Sequence, residues 1–263
     1  MIRKIIKRFL YGRCPGFAGS FPYYGVKVYF PPRSWSFYAA CEQGVFEWDN
    51  VRILCSLVRP NTTMFDVGAN IGLMAIPILQ CCTKSRVVSF EPSLNVLPYL
   101  RRTIAGSSFG QRWTLVEKAV GASEGTSKFS LSSQAESLFD GFRDTGRTLG
   151  AHSALVLVGT LDAEWQSLGR PEISVIKCDV EGAELDVLEG ARECLKVTRA
   201  AVLLEWNAVN LSAYQRAPES LLSFAKEANY SIHGIPSLAI AATRLQLEAQ
   251  MVFTESFLLL PCG

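Results

Sequence analysis

From Thr63 onward, short apolar runs recur with amphipathic stretches between most of them: Thr63–Val67, Arg86–Phe90, Trp113–Val116, Ser174–Cys178 and Ala201–Leu204. Continuous apolar runs of this length are the pattern of strands buried on both faces. The intervening segments, such as Leu94–Ala105 and Ala183–Leu195, carry apolar residues at helical spacing. Parallel strands need long crossovers, usually helices. The alternation therefore predicts βαβ units and an α/β fold with a doubly wound, mostly parallel sheet. A last run, Ser256–Leu260, is read as a closing antiparallel strand at the sheet edge.

Before Thr63 the pattern differs. A helix is predicted around Glu47–Val58, ending before the turn signal Pro60-Asn61. Residues 12–36 are rich in Gly, Pro and aromatic side chains and read as loops with one short strand near Val26–Phe30. Residues 1–46 are accordingly assigned as an N-terminal basic and aromatic extension, and residues 47–263 as the main domain. Residues 122–153 are rich in Ser, Gly and Thr with weak periodicity, and read as a hairpin or an insertion.

The first chemical signal is Phe65-Asp66-Val67-Gly68-Ala69-Asn70-Ile71-Gly72. A strand ends near Asp66, and a glycine turn leads into an apolar helix, whose start offers backbone N–H groups to a ligand. The next strand ends at Phe90-Glu91-Pro92, about 20 residues on, where a carboxylate can accept hydrogen bonds from both ribose hydroxyls. The glycine spacing is not the G-x-G-x-x-G of dinucleotide sites, and G-K-[ST] is absent. An aspartate at the turn repels pyrophosphate but suits an amino group. Ribose plus an α-amino acid describes S-adenosylmethionine. The competing reading makes Asp66 a cap of its own turn.

The densest polar stretch is Lys177-Cys178-Asp179-Val180-Glu181-Gly182-Ala183-Glu184. With the usual doubly wound strand order, Asp179 faces the Asp66 turn across the switch crevice. Lys177, Asp179 and Glu181 are then the catalytic candidates, whereas Glu184 fits the first turn of a helix. Glu205 and Asn207 follow the next strand. With Asp179 they form an alternative oxygen ligand set for a divalent cation, although no metal site is assigned. His233 is a weaker candidate base.

These residues carry a resemblance. FDVGANIG, FEPS, AVGASEG, GTLDAEW, IKCDVEGAELDVLEGA and LLEWN occur in the order seen in the FkbM-type methyltransferases. The chain resembles that family from about Glu47 to Leu260. The resemblance implies a class I, Rossmann-like methyltransferase fold and S-adenosylmethionine as cofactor. It implies methyl transfer to a hydroxyl of a sugar, a glycan or a natural-product small molecule. It also implies that Asp66, Gly68, Ala69, Asn70, Gly72, Glu91 and Ser93 contact the cofactor, with Lys118 and Ala119 near its adenine. Lys177, Asp179 and Glu181 would line the reaction end of the pocket. Pro77 and Pro98 depart from the pattern, since each removes a helical donor and should bend or delay its helix.

Charge separates the chain further. Residues 1–41 carry seven basic side chains and no acidic one, and the remainder carries 19 basic against 24 acidic. A mildly acidic body without the N-P-P-[YF] turn of exocyclic-amine methylases argues against a nucleic-acid partner. MIRKIIKRFL places Ile2, Ile5, Ile6, Phe9 and Leu10 on one helical face and basic residues on the other. Such a helix packs on the body or, alternatively, makes a peripheral membrane contact through residues 1–11. That alternative underlies a rival reading, a non-catalytic protein that docks on membrane surfaces. Eight cysteines without a C-x-x-C pair, in a chain lacking a signal-peptide pattern, read as reduced thiols of a cytoplasmic protein.

Overall fold

Tyr24 and Gly25 both adopt positive φ, 47° and 78°. Two such residues in sequence make the turn that suits a right-twisted hairpin. The turn joins β1 (Gly19–Tyr23) to β2 (Val26–Phe30), so the aromatic N-terminal segment holds a two-stranded sheet rather than the single strand expected. The computed structural model describes residues 19–146 and 152–263. The predicted basic helix of residues 1–11 lies outside the described residues.

Ser34 caps α1 (Trp35–Gln43) by accepting from the Phe37 amide, and Phe37 stacks on Phe30 with centroids 4.1 Å apart. Next come α2 (Trp48–Leu57), β3 (Thr63–Val67), α3 (Ala75–Cys81), β4 (Arg86–Phe90), α4 (Leu97–Ala105) and β5 (Trp113–Val116). The prolines act as expected: Pro98 sits in the first turn of α4 and Pro77 in that of α3, so both helices start late. A three-stranded satellite sheet follows, built from β6 (Ala119–Val120), β7 (Gly125–Leu131) and β8 (His152–Gly159). β7 and β8 pair antiparallel across residues 122–153.

The chain returns through α5 (Leu161–Ser167) to β9 (Ile173–Cys178). The segment expected as one helix over Ala183–Leu195 is two, α6 (Glu184–Glu189) and α7 (Arg192–Thr198). Gly190 separates them, where a Cβ would lie 2.1 Å from the Gly121 carbonyl oxygen. Then follow β10 (Ala201–Glu205), α8 (Ala208–Ala213), α9 (Ser220–Ala228), β11 (Tyr230–Gly234), β12 (Ala239–Ile240), α10 (Arg244–Met251) and β13 (Ser256–Pro261).

The main sheet has the order β12-β11-β13-β10-β9-β3-β4-β5. β10, β9, β3, β4 and β5 are parallel neighbours, and the winding reverses between β3 and β9. The doubly wound, mostly parallel sheet expected from the run pattern is the observed architecture. β13 is antiparallel as expected, but it is interior rather than at the edge, because β11 pairs along its outer side. Its burial explains this: Phe257, Leu258 and Leu259 are all buried, which requires cover on both faces.

Alternate strand residues feed opposite layers. Met64, Val87, Val175 and Leu203 join the core that also contains Phe37, Leu54, Ile76 and Leu100. Phe65, Val88, Ile176 and Leu204 join the other, with Trp165, Leu188, Leu195 and Phe224. The β1–β2 hairpin contributes Phe21, Val28 and Phe30 to the first of these cores. Among the described residues no cysteine is in a disulfide, and no helix is long and apolar enough to cross a membrane.

Candidate active site

The site lies at the carboxyl ends of β3, β4, β9 and β10, on both sides of the winding reversal. A cavity of about 240 Å³ opens there. From the residues predicted for cofactor binding, Gly68, Ala69, Asn70, Glu91, Lys118 and Ala119 line it, and so do Lys177, Asp179 and Glu181. Asp66, Gly72 and Ser93 stand outside its lining.

The glycine turn is shaped mainly by its own protein neighbours. Gly68 has φ of 77°, and a Cβ there would lie 1.8 Å from the Asp179 carbonyl oxygen. Gly72 has φ of 88°, and its Cβ would meet the Trp113 ring at 2.8 Å. The two glycines thus permit close packing of the β3 turn against β9 and β5. The Gly68 and Ala69 amides both donate to the Phe90 carbonyl. The Asn70 amide donates to Glu91 Oε2 at 2.7 Å, and the Ser93 amide to Glu91 Oε1 at 2.8 Å. Ser93 Oγ in turn donates to Asp140 Oδ2 at 2.5 Å. Glu91 is thereby locked in one orientation at the cavity wall.

Lys177 occupies the seam between β3 and β9 and is 4% exposed. Its Nζ donates to the Gly68 carbonyl at 2.9 Å and lies 3.4 Å from Asp179 Oδ2 and 3.9 Å from Asp66 Oδ1. Burial pulls the ammonium pKa down, but Asp179, Asp66 and Glu47 outweigh it and hold the pKa above the ordinary lysine value. Lys177 is a fixed cation, not a base. Asp66 is fully buried, and burial raises its pKa despite Lys177. It anchors the turn from beneath and does not line the cavity.

Asp179, Glu181 and Glu205 each bring one carboxylate oxygen within 4.8 Å of the others. Burial, and then Asp179 and Glu181, raise the Glu205 pKa well above the carboxylate range. Asn207, expected as a possible metal ligand beside Glu205, instead caps α8 by accepting from the Asn210 amide at 2.9 Å. Glu181 completes the trio in its place. Glu184 accepts from the Val180 and Gly182 amides, the helix-start role expected for it. His233 bonds Ser231 and the Leu238 carbonyl in β11 and does not line the cavity.

Sequence reasoning missed Glu47, Asp140 and Glu255, which also line the cavity, together with Phe129, Phe139 and Phe142. Glu47 starts α2 with a left-handed φ of 47°. Glu255 precedes β13, whose antiparallel pairing puts Ser256 opposite Glu205. That pairing was a usable signal for Glu255, and none pointed to Asp140.

Burial raises two carboxylates to about 7 from the ordinary 4.5, Glu91 and Glu184, in spite of the amides that each accepts. For a raised carboxylate the folded state binds more protons than the unfolded state between those two values. Stability therefore rises as pH falls through that window. We expect the unfolding midpoint of the ligand-free protein to climb between about pH 7.5 and pH 5 in thermal denaturation, and a steady fall over that range would contradict the burial of both groups.

The family model for the methyltransferase FkbM domain matches residues 66–232. Hexuronic acid methyltransferase AglP of Haloferax volcanii is 29% identical over 150 residues, 57% of this chain and 58% of that protein. The 2-O-methyltransferase NoeI of Sinorhizobium fredii is 27% identical over 160 residues, 56% of this chain and 65% of that protein. The chain thus matches about three fifths of the length of these curated relatives. The solved methyltransferase FkbM from Methylobacillus flagellatus KT superposes with a TM-score of 0.48 at 19% identity, covering 86% of this chain and 53% of that one.

Proposed function

The chain belongs to the FkbM methyltransferase domain family, and from that premise we propose that it moves a methyl group from S-adenosylmethionine to a hydroxyl of a sugar or glycan. The observation that carries the reading is the carboxyl-rich lining of the cavity. Seven carboxylates line it, Glu47, Glu91, Asp140, Asp179, Glu181, Glu205 and Glu255, against two lysines. Both lysines are already paired, Lys118 with Glu164 at 2.5 Å and Lys177 with Asp179. Burial holds several of these groups, Glu91 and Glu205 among them, toward their protonated forms, yet carboxyl oxygens still outnumber the cations and fit a cationic ligand bearing hydroxyls.

S-adenosylmethionine supplies an electrophilic methyl group on a positively charged sulfur. Glu91, just past the end of β4, would accept hydrogen bonds from the ribose hydroxyls, and Lys118 and Ala119 would border the base. Lys177 orients Asp179 by direct contact. Asp179 would serve as the base that takes the proton of the acceptor hydroxyl, freeing that hydroxyl's oxygen to attack the methyl group the cofactor would supply. Glu181 brings a carboxylate oxygen within 4.8 Å of one of Asp179. The protein's further contribution is alignment of the two reactants in a cavity partly lined by Phe129, Phe139 and Phe142. Sugars suit the cavity because closely spaced carboxylates bind vicinal hydroxyls.

The test is methyl transfer from labelled S-adenosylmethionine to a panel of free sugars, uronic acids and oligosaccharides. Label should enter an ether position of a sugar; label in no sugar fraction would reject the acceptor class.

The Asp179–Glu181–Glu205 trio favours a second version, in which a divalent cation held there orients the acceptor oxygens. Full turnover in excess chelator is the outcome expected for the carboxylate-only mechanism, and loss of turnover restored by Mg²⁺ would favour the metal.

A further inference from the structure

A second cavity, of about 590 Å³, adjoins the first, and Phe142 lines both. Its wall is made by the β6–β7 loop, by Arg143, by Asp186 of α6, and by Tyr214 and Arg216 just after α8. Nothing in the methyl-transfer chemistry above uses it.

Two arginines and a tyrosine cluster in this wall. The guanidinium carbons of Arg143 and Arg216 lie 5.2 and 5.6 Å from the Tyr214 ring centroid. Arg143 donates to the Ala213 carbonyl at 3.3 Å, and Arg216 Nη2 to Asp186 Oδ1 at 2.5 Å. Two buried groups are left over. Tyr214 Oη and Arg216 Nη1 have no hydrogen-bond partner among the described residues. Tyr214 is 9% exposed, and burial raises its pKa, so its hydroxyl remains a proton donor. Among the described residues that line it, the acidic side chains are Asp186, already paired, and Glu124 on the exposed loop, with Ser123, Thr126 and Ser127 hydroxyls beside it.

The two cavities are joined mechanically. Glu181 lines the first, and the next residue, Gly182, packs beneath the Tyr214 ring of the second. A Cβ on Gly182, where φ is 104°, would lie 2.5 Å from Tyr214 Cε2. Gly141 backs onto the same turn, its Cβ position being 3.2 Å from that of Glu181.

We infer that this second cavity is an oxyanion subsite for the acceptor, in which Arg143, Arg216 and the Tyr214 hydroxyl hold an anionic group of the sugar substrate beside the methylated unit. Planar guanidinium groups match the paired oxygens of a carboxylate or a phosphate. The inference rests on the proposed methyl transfer for its role, but the anion site itself stands on its own residues. It makes the acceptor an acidic sugar, either a uronate or a sugar phosphate.

Calorimetric titration of the full chain with D-glucuronate, glucose 1-phosphate and glucose tests it, without cofactor. Saturable binding of one or both anionic sugars and none of glucose is expected; preference for glucuronate assigns a carboxylate, and preference for glucose 1-phosphate assigns a phosphate. Arg143→Gln should weaken that binding about tenfold. Tyr214→Phe keeps the ring on Gly182 and should weaken it severalfold, which guards against a folding artefact in the arginine variant. No binding of either anion, equal binding of glucose, or unchanged affinity in both variants would overturn the inference. S-adenosylmethionine binding is measured in parallel: its absence in the wild type condemns the methyl-transfer reading, whereas its presence with no anion binding condemns only the subsite.

Discussion

Replacing Lys177 with methionine is expected to destabilise the protein by about 3–5 kcal/mol, the cost of removing one partner from a buried charge cluster. Its ammonium sits in the seam between β3 and β9, bridging the Gly68 carbonyl, Asp179 and Asp66. Methionine fills much of the same volume, so lost packing contributes little. What remains is a fully buried Asp66 carboxyl deprived of its cation. Urea denaturation should show a lowered midpoint at unchanged slope. Adding Asp66→Asn to the same chain should recover part of the loss, because the two residues share one interaction. A single variant within about 1 kcal/mol of wild type would mean that the cluster does not hold the two strand ends together.

Asp179→Asn should leave the fold standing and remove the chemistry. Asparagine can still accept a hydrogen bond from Lys177, but it cannot take a proton. Loss of a positioned general base costs about 10²–10⁴ in rate, so turnover should fall by that factor while cofactor affinity changes far less. Single-turnover measurements separate the two quantities. A loss below about fivefold would assign proton removal to Glu181 or to the water around it. Equal losses in turnover and cofactor affinity would instead make Asp179 a binding residue.

The parallel strands were legible because a strand covered on both faces must be apolar along its whole length, as Met64–Phe65 and Val175–Ile176 are. β11 was not, since Tyr230, Ile232 and Gly234 alternate with the half-buried Ser231 and His233. The position of β13 depends on β11 and was misplaced with it. At the site, the motif letters marked the right turns but could not separate ligand contacts from scaffolding. Asp66 and Gly72 stand in the same string as Gly68 and Asn70, yet they face Lys177 and Trp113. Only the pairing of β3 with β9, a contact between residues more than a hundred positions apart, decides which side of the turn meets the cavity. Asp140 and Glu47 reach the cavity from segments remote in sequence from the motif strings, and no local pattern marks them.

The proposed function requires the cavity walled by Glu91 to bind S-adenosylmethionine. Calorimetric titration of the full chain near pH 8, above the raised pKa of Glu91, measures this most directly. We predict one saturable site in the wild type and an affinity about tenfold or more weaker in Glu91→Gln, the worth of hydrogen bonds to a charged acceptor. Glutamine keeps an acceptor for only one of the Asn70 and Ser93 amides, a local loss, so circular dichroism should still show an intact fold. No heat in the wild type, or equal affinity in the two proteins, would contradict the account.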